Sequence, residues 1–210
     1  MTLEIEIKLS ASPETVRQVM TLNELAQLAN GSVLHQRLIS VYYDTPTGTL
    51  RSRGVALRMR RQQGTWVQTL KYKGEYRDGI AYREECDTPS DGYHLDFSSL
   101  EDDALRDYLL SEHVYRYLKP RFVTDFERTT RQLRTAGGAE IELAVDLGEV
   151  RTGLSQWPLS EIELELKSGS PDELHVLSRF LQSRLLLVPD TMSKAERGYA
   201  LLEQEKDRSS

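Results

Sequence analysis

Cysteine is nearly missing from this chain: Cys86 is the one copy in 210 residues. That excludes a disulfide within the chain and any zinc or iron–sulfur centre built on cysteine. The four histidines, His35, His94, His113 and His175, have no ligand-like spacing, so a histidine-rich metal site is not expected either. No apolar run approaches the ~20 residues of a membrane helix; the longest, Leu185 to Val188, stops at Pro189. No signal peptide precedes Glu4, and the expected home is a reducing cytoplasm. A phosphate-cradling G-x-x-x-x-G-K-S/T loop, a nucleophile elbow and an H-E-x-x-H pair are all lacking, which removes P-loop, elbow-type hydrolase and zincin chemistry. A basic excess is lacking too. The formal net charge is −6, whereas a general nucleic-acid binder usually carries a positive balance.

What the chain does have is charge in a regular place. Charged residues make up 29% of it and are segregated, bases dominating from Arg51 to Arg83 and acids from Glu140 to Glu165. In Glu4-Ile5-Glu6-Ile7-Lys8-Leu9 every second side chain is ionised and the others are aliphatic. A β-strand sends successive side chains to opposite faces, so this segment has one charged and one apolar face. The pattern returns in Leu57-Arg58-Met59-Arg60, Leu70-Lys71-Tyr72-Lys73, Ile141-Glu142-Leu143 and Glu161 to Lys167. By parity, Arg83 and Glu85, and Glu140 and Glu142 with Asp146, join the same set. A buried charge is costly unless paired or ligated. These faces therefore point to solvent from an open sheet, or into a water-filled lumen that binds a ligand.

Punctuation between the strands is clear. Ser12-Pro13-Glu14 opens a helix that Asn30-Gly31 ends. A strand over 38–43 breaks at the turn Asp44 to Gly48. Three strands, 56–62, 65–73 and 80–87, follow as a meander separated by Gln63-Gly64 and by 74–79. A helix is expected over 100–110, and strands over 119–130 and 131–135, with a hairpin at Gly137-Gly138. Further strands are expected over 140–149 and 161–167. Leu174, Leu177, Leu181 and Leu185 form one stripe of a helix opening at Ser170-Pro171. Ser193-Lys194-Ala195-Glu196 fits a capping box at the start of the last helix. Residues 1–203 are expected to be one α+β domain, with 204–210 a frayed polar tail.

Mixed acids and bases in one cavity suit a phosphorylated ligand with divalent cations. Arginine and lysine neutralise and orient phosphate oxygens, while carboxylates hold the hard ions Mg²⁺ or Mn²⁺. A triphosphate could employ most of the bases; a monophosphate could not.

The same residues resemble the CYTH family, the triphosphate tunnel metalloenzymes. Glu4-Ile-Glu-Ile-Lys8 matches the family's E-x-E-x-K. Support comes in order from Tyr42-Tyr43-Asp44-Thr45, Ala56-Leu-Arg-Met-Arg60, Thr69-Leu-Lys71, Arg83-Glu-Glu85, Asp125-Phe126-Glu-Arg128, Glu140-Ile-Glu142 with Asp146, Glu161-Ile-Glu163-Leu-Glu165 and Ser193-Lys194-Ala-Glu-Arg197-Gly-Tyr199. The inorganic triphosphatase branch is the most similar. The resemblance implies a closed eight-stranded antiparallel β-barrel, a tunnel, with helices packed outside. It implies metal ligands Glu4, Glu6, Asp146, Glu161, Glu163 and Glu165, and triphosphate contacts from Lys8, Arg58, Arg60, Lys71, Arg128, Lys194 and Arg197. Lys73, Arg83 and Arg121 join them largely by parity. Glu6, Lys8, Lys71, Glu163 and Glu165 are the implied catalytic set. The implied reaction is metal-dependent hydrolysis of tripolyphosphate to pyrophosphate and phosphate, with polyphosphate a further candidate ligand and no membrane or nucleic-acid partner. Adenylate cyclase, thiamine triphosphatase, nucleoside triphosphatase and a non-catalytic polyphosphate-binding module are the alternatives.

Overall fold

The computed structural model describes residues 1–62, 64–92 and 94–209, with the backbone alone for Ser209. Of the expected turn Gln63-Gly64, Gln63 lies outside the described residues, as does Ser210 of the tail. The alternating segments are strands: β1 (Thr2–Ser10), β2 (Leu34–Asp44), β3 (Ala56–Gln62), β4 (Thr65–Arg77), β5 (Ile80–Ser90), β6 (Lys119–Arg134), β7 (Glu140–Arg151) and β8 (Gln156–Ser168). They make one antiparallel sheet in the order β5-β4-β3-β2-β6-β7-β8-β1. β1 also pairs with β5, from Thr2↔Glu85 to Glu6↔Ala81, and so closes the eight strands into the expected barrel. Where β5 has run out, the two-residue β9 (Val188–Pro189) pairs with β1 at Leu9 and Ser10.

The helices are α1 (Pro13–Val19), α2 (Asn23–Leu28), α3 (Asp103–Leu110), α4 (Glu112–Tyr115), α5 (Asp172–Arg184) and α6 (Lys194–Ser209). Among the described residues none is long and apolar enough to cross a membrane. Two apolar clusters coat the barrel. Outward side chains of β1, β7 and β8, including Ile7, Leu9, Leu143 and Ile162, pack on Val16 of α1, Leu25 of α2 and Leu174, Leu177 and Leu181 of α5. Fully burying a side chain such as Ile162 stabilises by roughly 1.5–3 kcal/mol. Leu57, Leu70, Tyr72 and the free Cys86 pack under Phe97, Leu100, Leu109 of α3 and Val114 of α4.

Over part of β2 and β6 the inward face is apolar, against the expected rule of charge inside and apolar bulk outside, although Arg128 of β6 still points into the barrel. Outside, Ile39 is 40% exposed, and Arg37 and Arg151 share the carboxylate of Asp125. The inward residues Leu38, Tyr42, Phe122 and Phe126 are buried. At Tyr42 and Phe122 the cause is α6, which packs on that inward face, while Leu38 and Phe126 pack with Leu159 of β8. Tyr42 stacks on Phe122 at 4.7 Å and Tyr199 meets the same ring edge-on at 5.2 Å. Gly198 permits the approach: a Cβ there would lie 2.3 Å from the Phe122 ring.

Several boundaries differ from the sequence reading. The first helix is two, because Thr21 turns both its N–H and its hydroxyl onto the Gln18 carbonyl and ends α1. β6 runs unbroken through 119–134, and residues 204–209 continue α6 instead of fraying. Both expected N-caps form: Ser12 Oγ accepts from Thr15 N–H, and Ser193 and Glu196 make the reciprocal capping box.

Candidate active site in the barrel interior

Antiparallel register sets acids opposite bases. Glu4 faces Arg83 across β1 and β5, Lys8 faces Glu163 across β1 and β8, Lys71 faces Glu85 across β4 and β5, and Arg128 faces Asp146 across β6 and β7. Inside the barrel lies a cavity of about 490 Å³. Lys8, Arg58, Arg60, Lys71, Arg83, Arg128 and Lys194 line it, with Glu163 the carboxylate deep in the wall and Glu75 and Glu196 also bordering it.

On one side lie three carboxylates, Asp146, Glu161 and Glu163, whose oxygens come within 4.8 Å of one another. The Lys194 ammonium sits among them, 2.7, 2.5 and 2.8 Å from the three. Arg128 grips Asp146 with two hydrogen bonds, at 2.8 and 2.6 Å, and also donates to Glu163. Lys8 is 3.9 Å from Glu161 and 3.7 Å from Glu163. Arg197 reaches Glu161 at 3.4 Å and pairs with Asp190, outside the cavity wall. Burial disfavours the charge of Glu163, but Lys194, Arg128 and Lys8 outweigh it and hold its pKa well below the usual range. Burial likewise opposes the charge on Lys194, while Asp146, Glu161 and Glu163 drive its pKa up. A lysine in the first turn of a helix is opposed by the macrodipole; here three carboxylates hold it.

Glu4 and Glu6 follow on β1, the strand next to β8 with its Glu161 and Glu163. Lys71 is 2.5 Å and Arg83 3.1 Å from Glu4, and Arg83 also pairs with Glu6. Burial would raise the pKa of Glu4, yet Lys71 and Arg83 bring it down to about 2. Glu6 goes the other way: burial first, then Glu163, raises it. Lys71 and Arg58 share Glu85, at 3.4 and 3.6 Å. Glu165 stands beside Glu6 in register, its pKa raised by burial and its carboxylate 2.6 Å from Lys167. Glu4 and Glu6 thus pair with Lys71 and Arg83, which line the cavity, while Glu6 lies close enough to Glu163 for the two charges to repel.

Arg60 has no such partner. No carboxylate among the described residues lies within 4 Å of its guanidinium; Nε donates to Ser40 Oγ at 2.7 Å and the group lies over Phe126 at 5.7 Å. It is 8% exposed, and burial, then Arg58, pull its pKa down to about 9.

Two sequence-assigned cations are outside the tunnel. Lys73 falls in a bulge between Tyr72 and Glu75, with φ 50°; the bulge turns its side chain outward, 55% exposed, onto Glu84 and Asp102. Arg121 is skipped where Tyr42 pairs with Phe122 and Tyr43 with Pro120, and it lines a different cavity. Bulges break the period of two on which a parity assignment rests. Sequence reading passed over Ser40, which fixes Arg60, and Phe126, whose ring underlies Arg60, Arg128 and Lys194. Phe126 was legible within the Asp125-Phe126-Glu-Arg128 motif; Ser40 carried no signal.

Asp146, Glu161 and Glu163 are hard oxygen donors that suit Mg²⁺ or Mn²⁺, and the Lys194 ammonium among them shows that the position favours a cation. Comparison with known proteins agrees with this arrangement. The CYTH domain family model matches residues 2–199. An inorganic triphosphatase of Haemophilus influenzae is 34% identical over 206 residues, covering 96% of this chain but 55% of that protein. The chain thus spans about half the length of that curated relative. Among solved structures, a Hippeastrum protein described as having a dominant triphosphatase activity aligns with a TM-score of 0.60 at 19% identity, over 94% of this chain and 95% of its own. A Bacillus halodurans protein named as a candidate adenylate cyclase gives 0.61 at 20% identity, over 94% and 98%. These two likenesses bear on the fold alone. With the matched family model, the closed barrel and its charged interior, the chain belongs to the CYTH family.

Proposed function

We propose that this chain hydrolyses inorganic tripolyphosphate to pyrophosphate and phosphate within the barrel, with Mg²⁺ or Mn²⁺. The observation that carries this reading is the cavity of about 490 Å³ whose wall presents seven inward cations around Glu163. A simple anion site gains nothing from Asp146, Glu161 and Glu163 held within 4.8 Å of one another; a site for a phosphate chain carried by a divalent ion does. The Haemophilus relative's name points the same way.

Asp146, Glu161 and Glu163 would hold the metal, with Glu4, Glu6 and Glu165 as a second acidic group. Bound there, a divalent ion neutralises phosphate oxygens and lowers the pKa of water. Arg60, lacking an internal carboxylate, takes phosphate oxygens without first breaking an ion pair. Arg58, Lys71, Arg83 and Arg128 exchange carboxylate partners for phosphate oxygens, orienting the chain so that its terminal phosphorus is open to in-line attack by water. Lys8 and Lys194 neutralise charge gathering on the leaving oxygen. Glu163, held in place by Lys194, Arg128 and Lys8, would orient the bound group. Residues 1–203 would act as one unit in the cytoplasm, with no membrane or nucleic-acid partner.

Phosphate release from tripolyphosphate, ATP, thiamine triphosphate and long-chain polyphosphate, with and without Mg²⁺ or Mn²⁺, tests the reading. Tripolyphosphate should be preferred and metal required. Asp146→Asn and Glu163→Gln should each lower kcat by about 100-fold or more, as loss of transition-state charge stabilisation does. Full activity of both variants, or of metal-free enzyme, would refute the assignment.

A further inference from the structure

Outside the barrel interior, the turn after β2, the start of β6 and the middle of α6 enclose a second cavity of about 340 Å³ that the proposed reaction does not use. Arg51, Arg121 and Lys206 line it, and Glu203 is its carboxylate among the described residues. Pro46, Tyr199 and Leu202 give it an apolar wall.

The charges in this cavity do not cancel. Glu203 pairs with Arg51 at 2.5 Å and also feels the charge of Lys206, so two cations share one acid. Arg121 adds a third. It is the extra residue of a β-bulge, a device that re-aims a side chain. Among the described residues no carboxylate lies within 4 Å of its guanidinium, and its Nε is shielded from water with no hydrogen-bond partner. An N–H left unpaired in that way costs about 1–3 kcal/mol, and a small rotation of the guanidinium onto an oxyanion would pair it as part of a bidentate contact.

The frame around these cations is fixed in advance. Buried Asp44 accepts from the N–H groups of Thr45, Leu50 and Arg51 at 2.6, 2.8 and 3.1 Å and from Tyr199 Oη at 2.8 Å, which ties the Arg51 turn to α6. The Arg51 guanidinium lies over the Tyr199 ring at 5.1 Å. Its partner Glu203 is exposed, and such pairs contribute little, so Arg51 can turn to a better anion.

We propose that this cavity is a separate site for one phosphate group, carried by free orthophosphate or by a small phosphate monoester. Two positive charges in excess suit a compact dianion, and arginine forks match its oxygens. Pro46 and Leu202 offer apolar surface to the organic part of an ester.

Calorimetric titration in EDTA with orthophosphate, glycerol 3-phosphate and acetate, on wild type, Arg121→Gln, Lys206→Gln and Arg60→Gln, tests this. Arg121→Gln should weaken phosphate binding about tenfold, as loss of a charge-assisted contact does, with an unchanged thermal midpoint. Lys206→Gln, exposed on α6, should weaken it in the same direction and decides the matter if the Arg121 variant does not fold. Arg60→Gln, inside the barrel, should leave this binding within about twofold. Tighter binding of the ester, or of the free ion, supports the site and tells which source of phosphate it takes. No binding by wild type, equal weakening by all three variants, weakening by Arg60→Gln alone, or acetate held as tightly as phosphate overturns the proposal.

Discussion

Lys194→Met removes the ammonium from among Asp146, Glu161 and Glu163 while keeping its length. Asp146 and Glu161 are wholly enclosed and Glu163 nearly so, with side-chain exposures of 0%, 0% and 14%. Removing one partner of a buried ion pair costs about 3–5 kcal/mol, because the other charge is left uncompensated. Here Arg128, Lys8 and Arg197 stay in place around the same carboxylates. The loss should therefore fall at the lower end, about 3 kcal/mol. A divalent cation can then take the vacated position without displacing anything. At one hundred times its dissociation constant it returns about 2.7 kcal/mol, nearly the whole deficit. In wild type the same ion must first evict Lys194, so it should stabilise less. Urea unfolding of both proteins, with and without MgCl₂ or MnCl₂, measures all four quantities. A deficit under about 1 kcal/mol, ordinary for a surface pair, or equal stabilisation of the two proteins by metal, would refute the reasoning.

Two further outcomes follow from particular groups. Glu4 has its folded pKa lowered from 4.5 to about 2 by Lys71 and Arg83, so its contribution is complete above pH 4.5 and is lost as pH falls from there toward 2. The amount at stake is about 3 kcal/mol; between pH 5 and 2 wild type should lose more stability than Glu4→Gln in urea midpoints, and parallel acid limbs would contradict this. Gly198→Ala would ordinarily stabilise a helix by up to about 1 kcal/mol, but its Cβ would lie 2.3 Å from the Phe122 ring; a loss of about 1–3 kcal/mol is expected, and a raised thermal midpoint would show that α6 does not seat on Phe122.

The barrel was legible because its outer apolar face and inner charged face repeat with period two through β1, β3, β4, β7 and β8. The strand alternation places Glu4, Glu6 and Lys8 inside without any knowledge of partners, and the register then brings Arg83 and Glu163 opposite them. That rule fails at two kinds of place. At Lys73 and Arg121 a bulge adds a residue and turns the side chain away, and nothing in Tyr72-Lys73-Gly74 or Pro120-Arg121-Phe122 fixes a bulge by composition alone. At Tyr42 of β2 and Phe122 of β6 the inner face is aromatic because α6, far off in sequence, covers it. Periodicity within a strand records which face is buried, not which element buries it. Glu4 and Glu6 illustrate the remaining gap: sequence placed them inside but could not show that Lys71 and Arg83 would mask them.

That masking has a consequence for ligand capture. A barrel filled with like charges would be forced apart by its own repulsion; interleaving acids and bases lets the unliganded interior stand. Nearly every cation there is already matched: Lys194, Arg128 and Lys8 with three acids, Lys71 and Arg83 with Glu4 and Glu6. A bare triphosphate would have to win these cations from carboxylates, leaving the acids uncompensated. On the proposed reading these acids would be compensated by a divalent ion bound with the chain, so that acids opposing an anion alone would favour an anion with its metal. Arg60 stands outside this exchange. It is the buried tunnel cation with Ser40 in place of an acid, and a phosphate bound to it would disrupt no internal pair. On the proposed reading a triphosphate would meet Arg60 before the paired cations exchange partners, and Lys194, held by three carboxylates, would be the last cation to move.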